Sequence, residues 1–208
     1  MVKEGFKYVV LLALVTLICV PLLGRGHWLT YVSAFLTFSI ALFFRVAPHP
    51  PVVGDRAVLS PAGGWVIEVV DENEPVFMKS QATRISIFMS PLDVHVNTAP
   101  VNGVVRYAEY KPGKFFKADR PEARLQNERM SIGIDRADGV KCMATQVAGW
   151  LARRIICDVK VGDTVTRGNR YGLIQFGSRM DLHVPAGTRV FVKAGQHVRA
   201  AKTVLAEV

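Results

Sequence analysis

Three short stretches of this chain carry side chains whose type and spacing can do chemistry. The first is Gly177-Ser178, inside IQFGSRMDLHVP (Ile174–Pro185). Glycine leaves room for close approach to its carbonyl, and the serine hydroxyl that follows can attack it. The second is Asp93-Val94-His95 and the third Asp181-Leu182-His183. On a strand, residues two apart share a face, so each pair would set a carboxylate beside an imidazole. Histidine is the usual proton carrier near neutral pH, and a carboxylate orients it and favours its charged form. Each stretch also has a plain structural reading. A Gly-Ser step between the apolar runs Tyr171–Phe176 and Met180–Val184 is an ordinary turn or bulge. A bare D-x-H is a surface carboxylate near a hydrogen-bonded ring, and for Asp181 and His183 that reading is preferred. His27, His49 and His197 fall in a hairpin tip, a linker and a turn, and are assigned no role.

Composition narrows the partners. The 208 residues carry a formal charge of +9 and a pI near 9.7, which favours anionic surfaces. Nucleic acid would match that charge, but no nucleic-acid module is recognisable, so anionic lipid headgroups are the expected partner. The apolar fraction of 50% and mean hydropathy of +0.24 are high for a wholly soluble protein, and the excess sits at the N-terminus. Cys19, Cys142 and Cys157 have neither disulfide nor zinc spacing, which fits a reducing compartment. No metal-ligand spacing and no phosphate-binding glycine loop occurs, so neither metal nor nucleotide is expected. Lys111, Lys114, Lys117, Arg120 and Arg124 surround Phe115 and Phe116. That stretch reads equally as a solvated loop or as a headgroup-docking segment, which makes Lys114, Phe115 and Phe116 candidate substrate contacts.

The elements that must position these residues fall into two parts. Tyr8–Leu23 and Trp28–Phe44 are uncharged runs joined by Gly24-Arg25-Gly26-His27, and each approaches the ~20 residues that span a bilayer as a helix. A cleaved signal peptide is the rival for the first run, but no convincing cleavage site follows. Lys3, Lys7, Arg45 and Arg56 flank the pair, which predicts a hairpin over residues 1–47 with both ends cytoplasmic, Arg25 counting mildly against it. After the proline-rich linker Ala47–Val53 the pattern turns to short strands, among them Gly64–Val70, Arg84–Met89, Gly103–Tyr107 and Arg153–Val159. Val147–Arg154 also admits a helix. Val159–Ile174 resembles Val190–Val208, and the openings SPAGGWV, APVNGVV and VPAGTRV recur. These look like the folded hairpins of lipoyl- and biotinyl-type domains. The predicted fold is therefore mainly β, a barrel-sandwich domain over residues 48–208 behind an apolar helical hairpin.

FGSRMDLHVP (Phe176–Pro185) resembles the maturation site of the short-chain, pyruvoyl-dependent phosphatidylserine decarboxylases. FMSPLDVHVNTAP (Phe88–Pro100), YKPGKFFKAD (Tyr110–Asp119), QNERMSI (Gln126–Ile132) and QVAGWLARRI (Gln146–Ile155) continue the likeness in order, from about Pro48 to the end. The resemblance implies self-cleavage between Gly177 and Ser178 into a β chain (1–177) and an α chain (178–208) that stay together as a heterodimer. Ser178 would become a pyruvoyl group, the electron sink that amino-acid decarboxylation needs. His95, with Asp93, would assist loss of CO2 and protonate the carbanion. The implied substrate is phosphatidylserine or an archaeal ether-lipid analogue, the implied product the ethanolamine lipid, and the implied location the cytoplasmic side of the cell membrane. Two positions depart from longer relatives. Thr98 stands where they carry a second histidine, and Gly63 in Ser60-Pro61-Ala62-Gly63-Gly64 stands at the aspartate of PADG. The base for maturation is then open among Asp93, Asp181 and His183. The rival from another class is a membrane-anchored barrel-sandwich adaptor without catalysis. It explains the anchor and the glycine repeats but not FGSRMDLHVP.

Overall fold

A computed structural model describes residues 2–23, 26–46, 49–150, 154–174 and 178–208. The chain divides into two compact units, Met1–Val46 and Ala47–Val208. In the first, α1 (Lys3–Leu23) and α2 (Trp28–Phe43) form an antiparallel hairpin. Its ends are closed by Val2 N–H donating to the Phe44 carbonyl at 2.9 Å and its middle by Thr16 and Thr37 hydroxyls 3.4 Å apart. Gly5 is required here, because a Cβ would fall 2.3 Å from the Phe44 ring. Leucines and phenylalanines such as Leu17, Leu22, Phe35 and Phe38 remain exposed on the outside of the pair. The two helices differ in reach. Among the described residues, only α1, at 21 residues, is a helix long and apolar enough to cross a membrane. The 16 residues of α2 span about 24 Å, short of the ~30 Å hydrocarbon core.

The second unit is mainly β. Its strands are β1 (Ala57–Leu59), β2 (Gly64–Glu74), β3 (Ser80–Met89), β4 (Val96–Thr98) and β5 (Gly103–Lys111), followed by a short helix α3 (Pro121–Gln126). Then come β6 (Arg129–Asp135), β7 (Lys141–Val147), β8 (Ile155–Cys157), β9 (Thr164–Val165) and β10 (Arg170–Ile174). Last are β11 (Ser178–Pro185), β12 (Arg189–Val190), β13 (His197–Val198) and β14 (Val204–Glu207). Eight strands make one curled sheet in the order β13-β2-β3-β11-β7-β6-β5-β9, and two three-stranded sheets, β1-β14-β12 and β4-β10-β8, accompany it. All the described pairings between named strands are antiparallel, and the core is built from Val66, Ile85, Ile87, Ile132, Ile134, Met180, Leu182 and their neighbours.

The internal repeat appears as two equivalent interlocks. Val66 accepts from Gly195 N–H (2.8 Å) and donates to Gln196 (2.9 Å); Val105 does the same with Gly162 (2.8 Å) and Asp163 (2.9 Å). One turn further on, the Ser60 carbonyl accepts from Ala201 at 2.9 Å and the Ala99 carbonyl from Gly168 at 2.8 Å. Gly162 and Gly195 have φ of +98° and +85°, where a side chain is strained, and Gly168 and Ala201 also lie at positive φ, +81° and +56°. These paired turns fit the folded hairpins that the sequence predicts.

The local expectations differ in detail. The helix considered for Val147–Arg154 does not begin there: Val147 ends β7 and residues 148–150 are irregular, while 151–153 lie outside the described residues. The strand expected over Arg153–Val159 is observed as Ile155–Cys157. Gly24 and Arg25 of the hairpin tip, and Ala47 and Pro48 of the linker, also lie outside the described residues.

Candidate active site

Strand β11 organises the site by its alternation. Ser178, Met180, Leu182 and Val184 point to one face, into the apolar core, whereas Arg179, Asp181 and His183 point to the other. Ser178 opens the strand, opposite Met89 at the end of β3. It is completely buried, and its Oγ has no hydrogen-bond partner among the described residues. An unsatisfied buried hydroxyl costs on the order of 1–3 kcal/mol, so such an atom calls for a use. Gly177, the other half of the expected cleavage site, lies outside the described residues with Gln175 and Phe176.

His95 approaches the same segment from the other side. Its carbonyl accepts from Ile174 N–H at 3.2 Å, extending the β4–β10 pairing by one residue to the end of β10. Hence His95 is tied to the residue just before 175–177, and Ser178 is the residue just after. The imidazole is fully buried, with Nδ1 2.9 Å from the Asp93 carbonyl oxygen. A carbonyl can only accept, so Nδ1 carries the proton and Nε2 is the basic nitrogen of the neutral ring.

The Asp93 carboxylate is placed otherwise than the strand pattern predicts. Residues 90–95 form a turn after Pro91, and β4 begins only at Val96, so period-two alternation does not apply. Oδ2 of Asp93 accepts from the Ser90 N–H (2.9 Å) and hydroxyl (2.7 Å), and Oδ1 takes His197 Nε2 at 2.9 Å. Burial would raise the Asp93 carboxyl, but the Ser90 hydroxyl, the His197 ring and the Ser90 amide together hold it below its ordinary value. Asp93 therefore holds His95 through its backbone and anchors the turn to β13 through its side chain. His197, to which the sequence assigns no role, is the other end of that clamp and packs edge-on against Trp65, with ring centroids 5.1 Å apart.

Around this turn the two departures come together. Thr98 donates its hydroxyl to the Ser60 carbonyl at 3.2 Å, and a Cβ on Gly63 would sit 3.6 Å from Val94 N, next to His95. Asn97 and Gln146 were also missed. Both are fully buried and bonded to each other (Gln146 Nε2 to Asn97 Oδ1, 2.8 Å), and Gln146 also donates to the Ile156 carbonyl at 3.2 Å. Asn97 reaches Met89 Sδ at 3.8 Å, so one amide pair links strands β3, β4, β7 and β8 beneath Ser178. Gly172 lets them meet, since a Cβ there would lie 2.4 Å from Ile156 O and 2.8 Å from Gln146 Nε2. The only available signal for these polar residues was their presence inside otherwise apolar strand motifs.

Asp181 and His183 are not part of this constellation. They project from the face of β11 opposite Ser178, which removes both as the base acting on its hydroxyl. Asp181 accepts from Arg179 Nε at 2.6 Å, and His183 Nε2 lies 3.0 Å from Glu72, which also receives Arg124 (2.5 Å) and Arg84 (3.1 Å). Arg84 is buried and also pairs with Glu68 at 2.8 Å. This ion-pair network backs the strand that carries Ser178 and borders a groove of about 200 Å³ that does not include it. Lys114 stacks over the Phe116 ring at 5.5 Å and donates to Gln126 at 3.3 Å, beyond the end of β5. The group expected at residue 178 would be made from the serine itself, and its buried hydroxyl without a hydrogen-bond partner fits that origin.

Comparison with known proteins gives a consistent picture. The family model described as "Phosphatidylserine decarboxylase" matches residues 37–206. A phosphatidylserine decarboxylase proenzyme of Salinibacter ruber is 43% identical over 187 residues, covering 89% of this chain and 82% of the relative. One from Ralstonia nicotianae is 42% identical over 209 residues, covering 99% and 94%. One from Mycolicibacterium vanbaalenii is 43% identical over 194 residues, covering 91% and 83%.

Proposed function

The chain belongs to the phosphatidylserine decarboxylase family, and from that premise we propose that it is a self-processing, membrane-associated lipid decarboxylase. The observation that carries this reading is the buried Ser178 Oγ, without a hydrogen-bond partner among the described residues, one residue beyond a glycine carbonyl. In maturation Ser178 Oγ adds to the Gly177 carbonyl carbon, and the C–N bond to Ser178 breaks as an ester forms. Removal of the Ser178 α-proton then expels the Gly177 carboxylate and leaves dehydroalanine. Water hydrolyses its imine tautomer, releasing ammonia and leaving a pyruvoyl group at the head of an α chain, 178–208. The β chain, 1–177, remains bound to it, because β11 is paired on both sides, with β3 and β7.

The pyruvoyl carbonyl supplies an electrophile that binds the substrate amine and accepts the electron pair released with CO2. The remaining work falls to the protein. His95 Nε2 carries a proton to the carbon that has lost CO2, with the ring angle fixed by the Nδ1–H bond to Asp93 O. Asp93 and His197 keep the turn from moving. Burial of Ser178 and His95 among Met89, Asn97 and Ile174 excludes bulk water, which suppresses premature proton exchange. The substrate is the serine phospholipid, diacyl or ether-linked, whose reacting atoms are the same in both. The apolar hairpin holds the protein to the membrane, with the catalytic unit on the cytoplasmic side.

Intact mass spectrometry tests this directly. Purified protein should separate into pieces of 177 and 31 residues, the smaller without a free amino terminus and reactive toward carbonyl reagents. Ser178→Ala should remain a single inactive chain. Active preparations containing only unmodified full-length chain would overturn the reading.

A further inference from the structure

The strand register gathers several loops at one end of the large sheet. Met89 ends β3 opposite Ser178, Val147 ends β7 opposite Arg179, and Arg129 opens β6 opposite both Val147 and Lys111, the last residue of β5. Trp65, at the start of β2, pairs with Phe88 at the same end. The turn 90–95, the segment that follows Lys111 and residues 148–150 therefore all leave the sheet around Ser178. Asn127 stitches two of them together, donating to the Phe116 carbonyl (2.9 Å) and the Ala148 carbonyl (2.7 Å).

This end is also where the second unit leaves its large apolar side chains in solvent. Trp65, Leu92, Tyr110, Phe116 and Trp150 are exposed there, Leu92 at 77% and Trp150 at 63%, whereas exposed Leu125 lines the groove on the other face of β11. The other exposed large apolar residues described in this unit are Val52, Val76, Val161 and Phe191. Among the described residues of this unit, every exposed tryptophan and tyrosine thus sits at the end that opens on Ser178. Aromatic residues with a polar edge favour the headgroup level of a bilayer, and leucine favours the hydrocarbon just below it. Interleaved with them are exposed Lys114, Lys117 and Arg120, against Asp119 and Glu122, in a chain whose net charge is +9. A positive excess among apolar tips is complementary to an anionic lipid surface.

We infer that this end of the sheet is a second, hairpin-independent membrane-docking surface, in which Leu92 and Trp150 enter the headgroup layer of an anionic bilayer and bring Ser178 to the lipid. Its functional consequence rests on the lipid-decarboxylase reading, whereas the docking itself does not.

The experiment uses full-length protein in vesicles of phosphatidylcholine with a minor share of phosphatidylglycerol, so that the hairpin keeps every variant membrane-bound. In a Trp28→Phe/Trp65→Phe background, Trp150 is the one tryptophan. Lipids brominated near the carbonyl end of the acyl chain should quench it, and aqueous acrylamide should quench it less than in detergent-free protein denatured in urea. In the wild-type tryptophan background, Leu92→Ser/Trp150→Ser should reduce turnover of bilayer phosphatidylserine at least 10-fold. The same variant should leave turnover of a short-chain phosphatidylserine below its micelle concentration within about 2-fold, which also shows that it folds. No quenching by brominated lipid in membrane-bound protein overturns the inference. So does quenching that is replaced by concentration-dependent self-association, which would make this end an interface between copies. Wild-type protein that turns over neither substrate refutes the catalytic reading, and the Trp150 measurement still decides the docking.

Discussion

The chain spells the same motif twice, and the two copies end in opposite situations. Asp93-Val94-His95 follows Pro91 in a turn, and its imidazole is buried at the end of β10 that leads to Ser178. Asp181-Leu182-His183 lies within a regular strand, and its imidazole joins an ion-pair network on the far face of the sheet. In the strand copy the period of two holds: Asp181 and His183 share a face, and each finds a separate partner, Arg179 and Glu72. In the turn copy the carboxylate leaves for Ser90 and His197, and the ring is held by a backbone carbonyl instead. Regular geometry gave a structural pair, and irregular geometry gave a histidine whose basic nitrogen is defined. The difference lies in the Ser90-Pro91 step that ends β3, not in the three residues themselves.

The sharpest way to break this comparison is to remove each imidazole in turn. His95→Ala should lower turnover about 10²–10⁴-fold even when normalised to pyruvoyl-bearing chain, the range for a positioned proton carrier. Self-cleavage should slow as well. His183→Gln keeps a donor toward Glu72 and should leave normalised turnover within about 2-fold. A time course of cleavage and CO2 release in one sample measures both. Normal turnover per pyruvoyl group in His95→Ala would remove that residue from the decarboxylation step, and a large loss in His183→Gln would erase the contrast.

A smaller effect is expected from the clamp that makes the turn copy different. Without its link to Asp93 Oδ1, His197→Ala leaves the turn 90–95 tethered to its own Ser90 but no longer to β13. Turnover should fall about 10-fold, because the ring is displaced rather than lost. A positioning role also predicts that His197→Gln restores most of the rate, since its amide can again donate to the carboxylate. Equal losses in both variants would argue for a direct chemical role of the imidazole.

Much of this was legible along the chain because it is local. The Gly-Ser step, the alternation of β11 and the turn glycines at 162, 168 and 195 are set by neighbours in sequence, and they reappear as the strand, the core face and the interlocking hairpins. What escaped depends on contacts between distant positions. Asp93 and His197 are 104 residues apart and Asn97 and Gln146 are 49 apart, and no local period relates them. The removal of Asp181 and His183 as candidate bases was present in the alternation all along. It became usable only when β3 and β7 fixed which face of β11 is the core. The second apolar run was legible almost to the residue: the helix covers Trp28–Phe43, and Phe44, the last residue of the run, is its C-cap.

The mildest test of the comparison concerns stability rather than rate, and it addresses the strand copy's partner. Burial would raise the Glu72 carboxyl, but hydrogen bonds from His183 and Arg124 and the charge of Arg84 bring it down to about 2 from 4.5. A carboxyl whose folded value is depressed adds stability above its unfolded value. That contribution is present in full above about 4.5 and is lost as the pH falls toward 2. A shift of this size is worth at most ~3.4 kcal/mol, and the partial exposure of Glu72 reduces it to about 1–2 kcal/mol. Glu72→Gln should therefore lower Tm by about 3–6 °C at pH 7, and by clearly less at pH 3, with Arg84 still held by Glu68 in the variant. Self-cleavage at Ser178 should proceed, since the network lies behind the strand and touches neither His95 nor the core face. A Tm difference that is the same at both pH values would mean that Glu72 acts by packing alone. A failure to cleave in a folded Glu72→Gln protein would mean that the two faces of β11, and with them the two copies of the motif, are coupled.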